Sequence, residues 1–329
     1  MIKKLLNRHE FYLGLTIILL AIIIGTVNST FFTVGNLFSL LRSSIVTGIF
    51  SLGVFMVIVS GEIDVSFMSI AIFSMYVTGQ FLINNPQHEA NLVLTFAMAV
   101  AIAMALGSLN AWFITRFKLP AFVVTLGTQN LYRGFLLAFV GTRLITTLPK
   151  GMLDLSRANF VSVRQGRMLY SLPTTIFALV VLSIITWWIM RYTKLGRGIY
   201  AIGGDPAAAE RVGFNIKRIR FFMYTYVGFL AGIAGIIHAS MIRVGNPFDL
   251  VGQELNVIAA VILGGTKITG GEGSIIGTLM GVFLFTMISN SLILLGISSY
   301  WQRAVTGVII IISIGVTTYR EKRGVKTYA

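Results

Sequence analysis

The chain has 329 residues, of which 56% are hydrophobic and only 11% are charged, and its formal net charge is +15. Soluble domains carry about 25% charged residues, so the composition excludes an ordinary soluble globular protein. Apolar runs of about 20 residues can cross a bilayer, and such runs recur along the chain. The sequence therefore predicts an all-α, polytopic membrane helix bundle that forms a single transmembrane domain over residues 1–329.

The apolar runs predict about ten transmembrane helices. Most Lys and Arg residues fall on one side of the membrane if the N-terminus is cytoplasmic, so both termini are predicted to be cytoplasmic. The basic residues lie between apolar runs and form no single stripe, which argues against nucleic-acid binding. The crossings are expected near residues 11–27, 43–60, 67–83, 91–115, 119–140, 172–190, 221–240, 253–265, 274–297 and 304–319.

The first interruption of the apolar pattern is SGEIDVSF at residues 60–67. Asp64 is costly inside a membrane unless it is solvated or paired. Near the cytoplasmic interface it can serve as the N-terminal cap of the next crossing, and we consider a direct role in a translocation path as the alternative. The sequence constrains the role of Glu62 less than that of Asp64.

A polar face is predicted within the crossing that contains LPAFVVTLGTQNLYRG, residues 119–134. Its polar side chains recur at helical spacing, so one side of the helix faces other helices or an aqueous cavity. Hydrogen bonding between helices and a role in the translocation path remain equal alternatives. The candidate path residues are Asp64, Thr125, Thr128, Gln129, Asn130, Arg133 and, as a weaker member, Asn290.

Two hydrophilic segments are predicted to leave the membrane on opposite sides. Residues 141–171 form an extracytoplasmic loop, which is either a docking surface or a solvated connector. Residues 191–220 form a cytoplasmic loop. Within it a two-turn helix is expected, with Asp205 as N-cap, Pro206 at the first position and Gly213 at the end. So short a helix needs a packing partner.

A second interruption, GGTKITGGEGSIIG at residues 264–277, resembles the first because both follow a crossing that runs inward. Non-helical backbone within a membrane is tolerated only where protein or water covers it, so such breaks commonly line a pathway. An ordinary cytoplasmic turn is the alternative. The Gly228/Gly232 and Gly277/Gly281 pairs predict close helix packing.

Catalysis is not expected from this chain. It has no cysteine, and its three histidines, His9, His88 and His238, lack metal-ligand spacing. No P-loop motif is present, so ATP-driven work would need a partner. We therefore expect no catalytic residue, no metal site and no cofactor bound by this chain.

Four ordered motifs resemble the permease subunits of bacterial ABC importers for ribose and related monosaccharides, a family that also includes autoinducer-2 and rhamnose permeases. The likeness extends over nearly the whole chain. It rests on GEIDVS at 61–66, LPAFVVTLGTQNLYRG at 119–134, AIGGDPAAAERVGFNIKRIR at 201–220 and AAVILGGTKITGGEGSIIGTLMG at 259–281.

The resemblance implies a multi-pass permease of the bacterial cytoplasmic (inner) membrane that works as a homodimer or heterodimer. Its other partners would be two cytoplasmic ATPase domains, which bind ATP and Mg²⁺, and an extracytoplasmic solute-binding protein. It also implies that the predicted short helix is the coupling helix on which the ATPase acts. That helix comprises Asp205, Pro206, Ala207, Ala208, Ala209, Glu210 and Arg211 and is closed by Gly213.

Some positions depart from the family pattern. Glu62, Phe67 and Met68 are unusual in the first interruption, Lys267 stands where a small or hydroxyl residue is common, and Asp205 stands where Asn is common. These changes leave the predicted fold intact, but they affect which solute can be assigned by analogy with the family.

The favoured function is the transport of a sugar-like solute by an ATP-driven importer, since hydroxyl and amide side chains suit a neutral polyol. The alternatives are a self-sufficient secondary carrier or channel and a branched-chain amino-acid ABC permease.

Overall fold

The computed structural model describes residues 9–165 and 168–296, together with residues 301, 304, 307, 308, 311 and 315. Its first half contains α1 (His9–Val27), α2 (Val34–Val59), α3 (Phe67–Asn84), α4 (Leu92–Phe117), α5 (Ala121–Phe135) and α6 (Lys150–Arg157). Strands β1 (Asn159–Gln165) and β2 (Met168–Pro173) follow. The second half contains α7 (Ile176–Tyr192), α8 (Lys194–Gly204), α9 (Pro206–Arg211), α10 (Ile216–Ile242), α11 (Glu254–Leu263) and α12 (Ile275–Leu294).

Helices of membrane-spanning length dominate the fold. Among the described residues, six are long and apolar enough to cross a bilayer, and a seventh span results if α7 and α8, bent by 71° relative to each other, are taken together. Two further predicted crossings are shorter helices. The π-helical turn Leu136–Val140 extends α5, and α11 has only 10 residues. The predicted crossing at 304–319 lies almost entirely outside the described residues.

The long helix α10 forms the centre of the bundle and packs against α4, α3 and α2. Gly228 and Gly232 let α10 approach α4 closely. A Cβ atom at Gly232 would lie 2.9 Å from the carbonyl oxygen of Ala99, and one at Gly228 would collide with that of Ala103. The close packing expected from the glycine spacing is therefore confirmed.

The segment 141–171 differs from the all-α expectation. It contains α6 and most of the antiparallel hairpin β1–β2, in which Val163 pairs with Tyr170. The alternating apolar and polar residues of NFVSVRQ have the period of a strand, and this signal was missed. The hairpin lies against the start of α2, where Tyr170 occupies the space beside Gly35. It defines one end of the bundle, and α9 lies at the other end, beyond the last residue of α2.

Candidate functional site

The first interruption contains a non-helical connection between α2 and α3, residues 60–66, which is exposed at Gly61 and buried from Asp64 to Ser66. Asp64 is only 3% exposed, and its Oδ1 accepts hydrogen bonds from both the amide and the hydroxyl of Ser66, each at 2.7 Å. Ser66 is the N-cap of α3 and makes no side-chain capping bond. The expectation that Asp64 caps this helix is therefore wrong, because its carboxylate accepts hydrogen bonds from Ser66, the last residue of the connection, instead of from an amide in the first turn of α3.

A hydrogen-bonded chain of side chains links this connection to two other helices. Asn110 of α4 donates to the Ser66 hydroxyl at 2.8 Å, and the Tyr132 hydroxyl of α5 donates to Asn110 Oδ1 at 2.9 Å. Within the described part of the chain, Asp64 Oδ2 is buried without a hydrogen-bond partner. The acidic end of this network therefore keeps one unused acceptor.

The polar face predicted for α5 is present, and Thr125 and Thr128 are buried on it. The Thr125 hydroxyl lies 3.4 Å from both the amide of Val65 and the carbonyl oxygen of Ile63. The first interruption therefore rests directly on α5. This contact brings two of the predicted path residues, Asp64 and Thr125, into one region.

Gln129 continues the same face toward the start of α11. Its Nε2 donates to Oε1 of Glu254 at 2.8 Å, and Glu254 is only 6% exposed. Glu254 Oε2 also accepts from the amide of Gly252 at 2.9 Å. Sequence reasoning missed Glu254, although an acidic residue at the head of an apolar run is the signal that marks functional positions in membrane proteins.

Two other predicted path residues, Asn130 and Asn290, lie apart from this region, whereas Arg133 follows Gln129 on the same face of α5. Asn130 is exposed and donates to the carbonyl oxygen of Leu126 in its own helix. Arg133 is half-buried one turn beyond Gln129. Asn290 lies on α12, which packs mainly against α2 and α11. A face of α5 is too narrow to include every polar residue of the motif, so the motif divides between two sides of the helix.

The connection between α10 and α11, residues 243–253, is held by contacts to separate parts of the fold. His238 Nε2 lies 2.7 Å from Asp249 Oδ2, and this hydrogen bond lowers the pKa of the Asp249 carboxyl. Gly245 forms a two-way backbone bridge with Ile145 in segment 141–149. We call residues 243–253 the α10–α11 connection.

The opposite end of the bundle contains a close meeting of three backbones, which we call the glycine junction: Val59, Gly203 and Gly271. The Gly271 amide donates to the carbonyl oxygen of Val59 at 2.8 Å. A Cβ atom at Gly203 would collide with that same oxygen and with the Gly271 nitrogen. Only glycine fits at position 203, and the two predicted interruptions are in contact with each other and with the end of α8.

Three side-chain contacts reinforce the glycine junction. Tyr200 of α8 donates to the carbonyl oxygen of Gly273 at 3.0 Å. Glu62 forms an ion pair with Arg220 of α10 at 2.6 Å and accepts a hydrogen bond from Tyr224 at 2.8 Å. The unusual Glu62 therefore has a basic partner in the second turn of α10.

The remaining departures from the family pattern also have structural partners. Phe67 is buried, and its ring centroid lies 5.3 Å from that of Phe50 on α2. Met68 is 3% exposed within the same core. Lys267 forms an ion pair with Glu272 at 2.7 Å across the second interruption.

The short helix predicted between Asp205 and Gly213 is observed as α9, immediately after the glycine junction. Asp205 Oδ1 accepts from the amides of Ala207 and Ala208 at 2.8 and 3.2 Å, as expected for an N-cap. Gly213 has a φ of +91°, which suits the predicted helix end. Ala209 is buried, whereas Ala207, Glu210 and Arg211 face outward.

Comparison with known proteins identifies import permeases as relatives. The chain is 33% identical to the ribose import permease protein of Escherichia coli (strain K12) over 307 residues, 93% of each chain. The corresponding protein of Haemophilus influenzae is 32% identical over 317 residues, 96% of this chain and 94% of the relative. An autoinducer 2 import system permease protein of Yersinia pseudotuberculosis (serotype O:1b) is 33% identical over 225 residues, 67% of this chain and 60% of the relative.

No solved structure matches the chain significantly. A family model described as branched-chain amino acid transport system / permease component matches residues 36–314. This match covers most of the chain, including both interruptions, α5 and α9. The chain is therefore a multi-pass membrane protein and belongs to this family of transport permeases.

Proposed function

We propose that this chain is the non-catalytic, membrane-spanning subunit of an ATP-driven importer for a monosaccharide or a similar polyhydroxylated solute. The observation that carries the proposal is the glycine junction. It joins the end of α8, and hence α9, to both interruptions of the membrane helices through backbone contacts. A force on α9 would therefore reach the segments beside the polar face of α5.

The outward face of α9 is the proposed contact for a cytoplasmic ATPase, which would bind ATP and Mg²⁺. Ala207, Glu210 and Arg211 are exposed, while Ala209 anchors the helix to the bundle. Since α9 has only six residues, its position depends on its cap and on this anchor. A short, capped and anchored helix moves as a unit with α8, which suits a coupling helix.

The polar groups along α5 support a neutral polyol as the solute. Thr125, Gln129 and Tyr132 offer hydroxyl and amide groups, which exchange hydrogen bonds with sugar hydroxyls. The curated relatives that are 33% identical over 93% of this chain are ribose permeases, which favours the same class of solute. Branched-chain amino acids, which the family description names, remain the competing solute to test.

The proposed assembly follows from the family. It contains a second permease copy, identical or related, two ATPase domains and an extracytoplasmic solute-binding protein, in the bacterial inner membrane. We further propose ten crossings with both termini cytoplasmic. The hairpin end would then face the binding protein and the α9 end would face the ATPase, with α7 crossing the membrane and α8 following it on the cytoplasmic side.

The test is a transport assay in proteoliposomes, with radiolabelled ribose or leucine, in the presence and absence of the ATPase and the binding protein. Uptake of the sugar that requires both partners and ATP is expected. Gradient-driven uptake by the chain alone would instead indicate a secondary carrier and refute the proposal.

The contact on α9 is tested in the same vesicles with the double variant Ala207→Trp/Glu210→Arg. We expect at least about a tenfold loss of solute-stimulated ATP hydrolysis with normal membrane insertion. The conservative variant Ala207→Ser/Glu210→Gln is the matched control and should keep most of the activity. Equal activity of the two variants would exclude α9 as the contact.

A further inference from the structure

A second feature of the α9 end is a basic pocket, which we define by Lys194, Arg197 and Arg218. The pocket is a cavity of about 570 Å³ that lies where α8 begins, α9 ends and α10 begins. Its lining includes three apolar side chains, Leu195, Phe214 and Ile219, which are half-buried or buried and which we call its floor. The cavity is therefore apolar in its depth and cationic at its rim.

The three cations of the basic pocket are exposed, and in the part of the chain that the structure describes none forms an ion pair with a carboxylate. Nearby cations of this kind repel each other unless an anion lies between them. The pocket is therefore suited to an anionic ligand.

The neighbouring helix α7 indicates the depth of the pocket in the membrane. Trp187, Trp188 and Tyr192 at its end are 43%, 56% and 57% exposed. Exposed Trp and Tyr side chains are enriched at the membrane–water interface, and the preceding turns of α7 expose Val180, Val181 and Ile184 to the surroundings. Because Lys194 follows Tyr192 by two residues, the basic pocket lies at the level of lipid headgroups.

We propose that the basic pocket binds the phosphodiester headgroup of an anionic phospholipid, with the start of an acyl chain on Leu195, Phe214 and Ile219. Basic pockets at the cytoplasmic edge of membrane helices bind such headgroups by charge. The apolar floor and the adjacent aromatic side chains distinguish a lipid from a free phosphate, which needs only the cations. Because Gly213 and Val212 of the pocket directly follow α9, a bound lipid would also steady the coupling segment.

The test uses the full chain in detergent without any partner, so its outcome does not depend on transport. A Trp112→Phe/Trp301→Phe background leaves Trp187 and Trp188 as the fluorophores, since the chain has four tryptophans. Brominated phosphatidylglycerol should quench their emission at lower concentration than brominated phosphatidylcholine. Arg197→Gln/Arg218→Gln should weaken the phosphatidylglycerol effect by about 10- to 30-fold, given the usual contribution of each cation.

Two controls make the result decisive. Arg116→Gln/Lys118→Gln removes two basic residues at the end of α4, outside the pocket, and should leave quenching unchanged. Arg197→Lys/Arg218→Lys keeps the charge and should restore binding. Equal quenching by the two lipids, or an equal loss in the two Gln variants, would overturn the proposal. Full displacement by equimolar glycerol phosphate would assign the pocket to a free phosphate instead of a lipid.

Discussion

The glycine junction and the α10–α11 connection both join helices of the bundle, but they are held by different kinds of contact. At the junction, the backbones of Val59, Gly203 and Gly271 touch directly. The connection has one backbone bridge, Gly245 with Ile145, and a side-chain contact, His238 with Asp249; Gln129 contacts Glu254 directly after it, at the start of α11. Backbone contacts leave little room for adjustment, whereas side-chain hydrogen bonds can be broken singly.

This difference indicates a division of roles. We expect a junction of directly touching backbones to transmit displacement, because a movement of α8 would push on Val59 and Gly271. We expect the side-chain pairs at the connection to break at modest cost, because each such bond contributes only about 0.5 to 1.5 kcal/mol net, or somewhat more with a charged partner. The predictions below test these two roles.

The largest effect is expected for Gly203→Ala, because its methyl group would collide with the backbone of Val59 at the end of α2 and of Gly271 in the second interruption. Solute-stimulated ATP hydrolysis in the reconstituted complex should fall by about tenfold or more, and the chain should lose about 1 to 3 kcal/mol of stability. Gly204→Ala is the matched control, because nothing lies within 4 Å of a Cβ atom there. Similar behaviour of the two variants would contradict a close-packed junction.

The ion pair between Glu62 and Arg220 is the next test of the junction. Its side chains are 10% and 28% exposed, so Glu62→Gln leaves a partly buried cation without its partner. We expect a loss of about 1 to 3 kcal/mol in thermal unfolding of the detergent-purified chain. The double variant Glu62→Gln/Arg220→Gln should lose less than the sum of the two single variants. Strict additivity in this cycle would rule out a coupled pair.

At the start of α11, directly after the α10–α11 connection, Gln129→Leu removes the side-chain partner of buried Glu254. The expected cost is about 1 to 3 kcal/mol, since the carboxylate then keeps only its bond from Gly252. Asn130→Leu, at the exposed neighbouring position, is the control and should change stability little. Unfolding midpoints that do not distinguish the two variants would argue against the contact.

The smallest effect concerns pH and Asp249. Because the hydrogen bond from His238 depresses the folded-state pKa of this carboxyl, its contribution is present above the unfolded value of about 3.9 and disappears as pH falls through the folded pKa. Asp249→Asn should remove at most about 1 kcal/mol near neutral pH, since both groups are partly exposed. Melting curves of the two proteins should converge at low pH, and parallel curves would disprove the linkage.

Several local features could be predicted from the sequence. Asp205, Pro206 and Gly213 determine where α9 begins and ends, because these three residues are close together in sequence. The structure confirms both ends. The polar face of α5 follows from helical spacing in the same way. The two interruptions were also predicted, because glycine and polar residues disrupt an apolar run wherever they occur.

Other features depend on partners that are distant in sequence, and local patterns do not identify them. Asp64 fits the pattern of a helix cap, yet its carboxylate bonds to Ser66 within a network that reaches α4 and α5. Glu254 became a candidate only when its contact with Gln129 was seen. The hairpin was missed because its strands pair with each other at one end of a bundle that otherwise has helical period.

The sequence by itself determined the membrane class, the approximate positions of most helices and the short capped helix α9, because hydrophobic length and capping act over a few consecutive residues. Only the tertiary structure decided that both interruptions meet Gly203, that Glu62 pairs with Arg220 and that three cations surround one pocket. These contacts join residues far apart in the chain, and their geometry arises from helix packing.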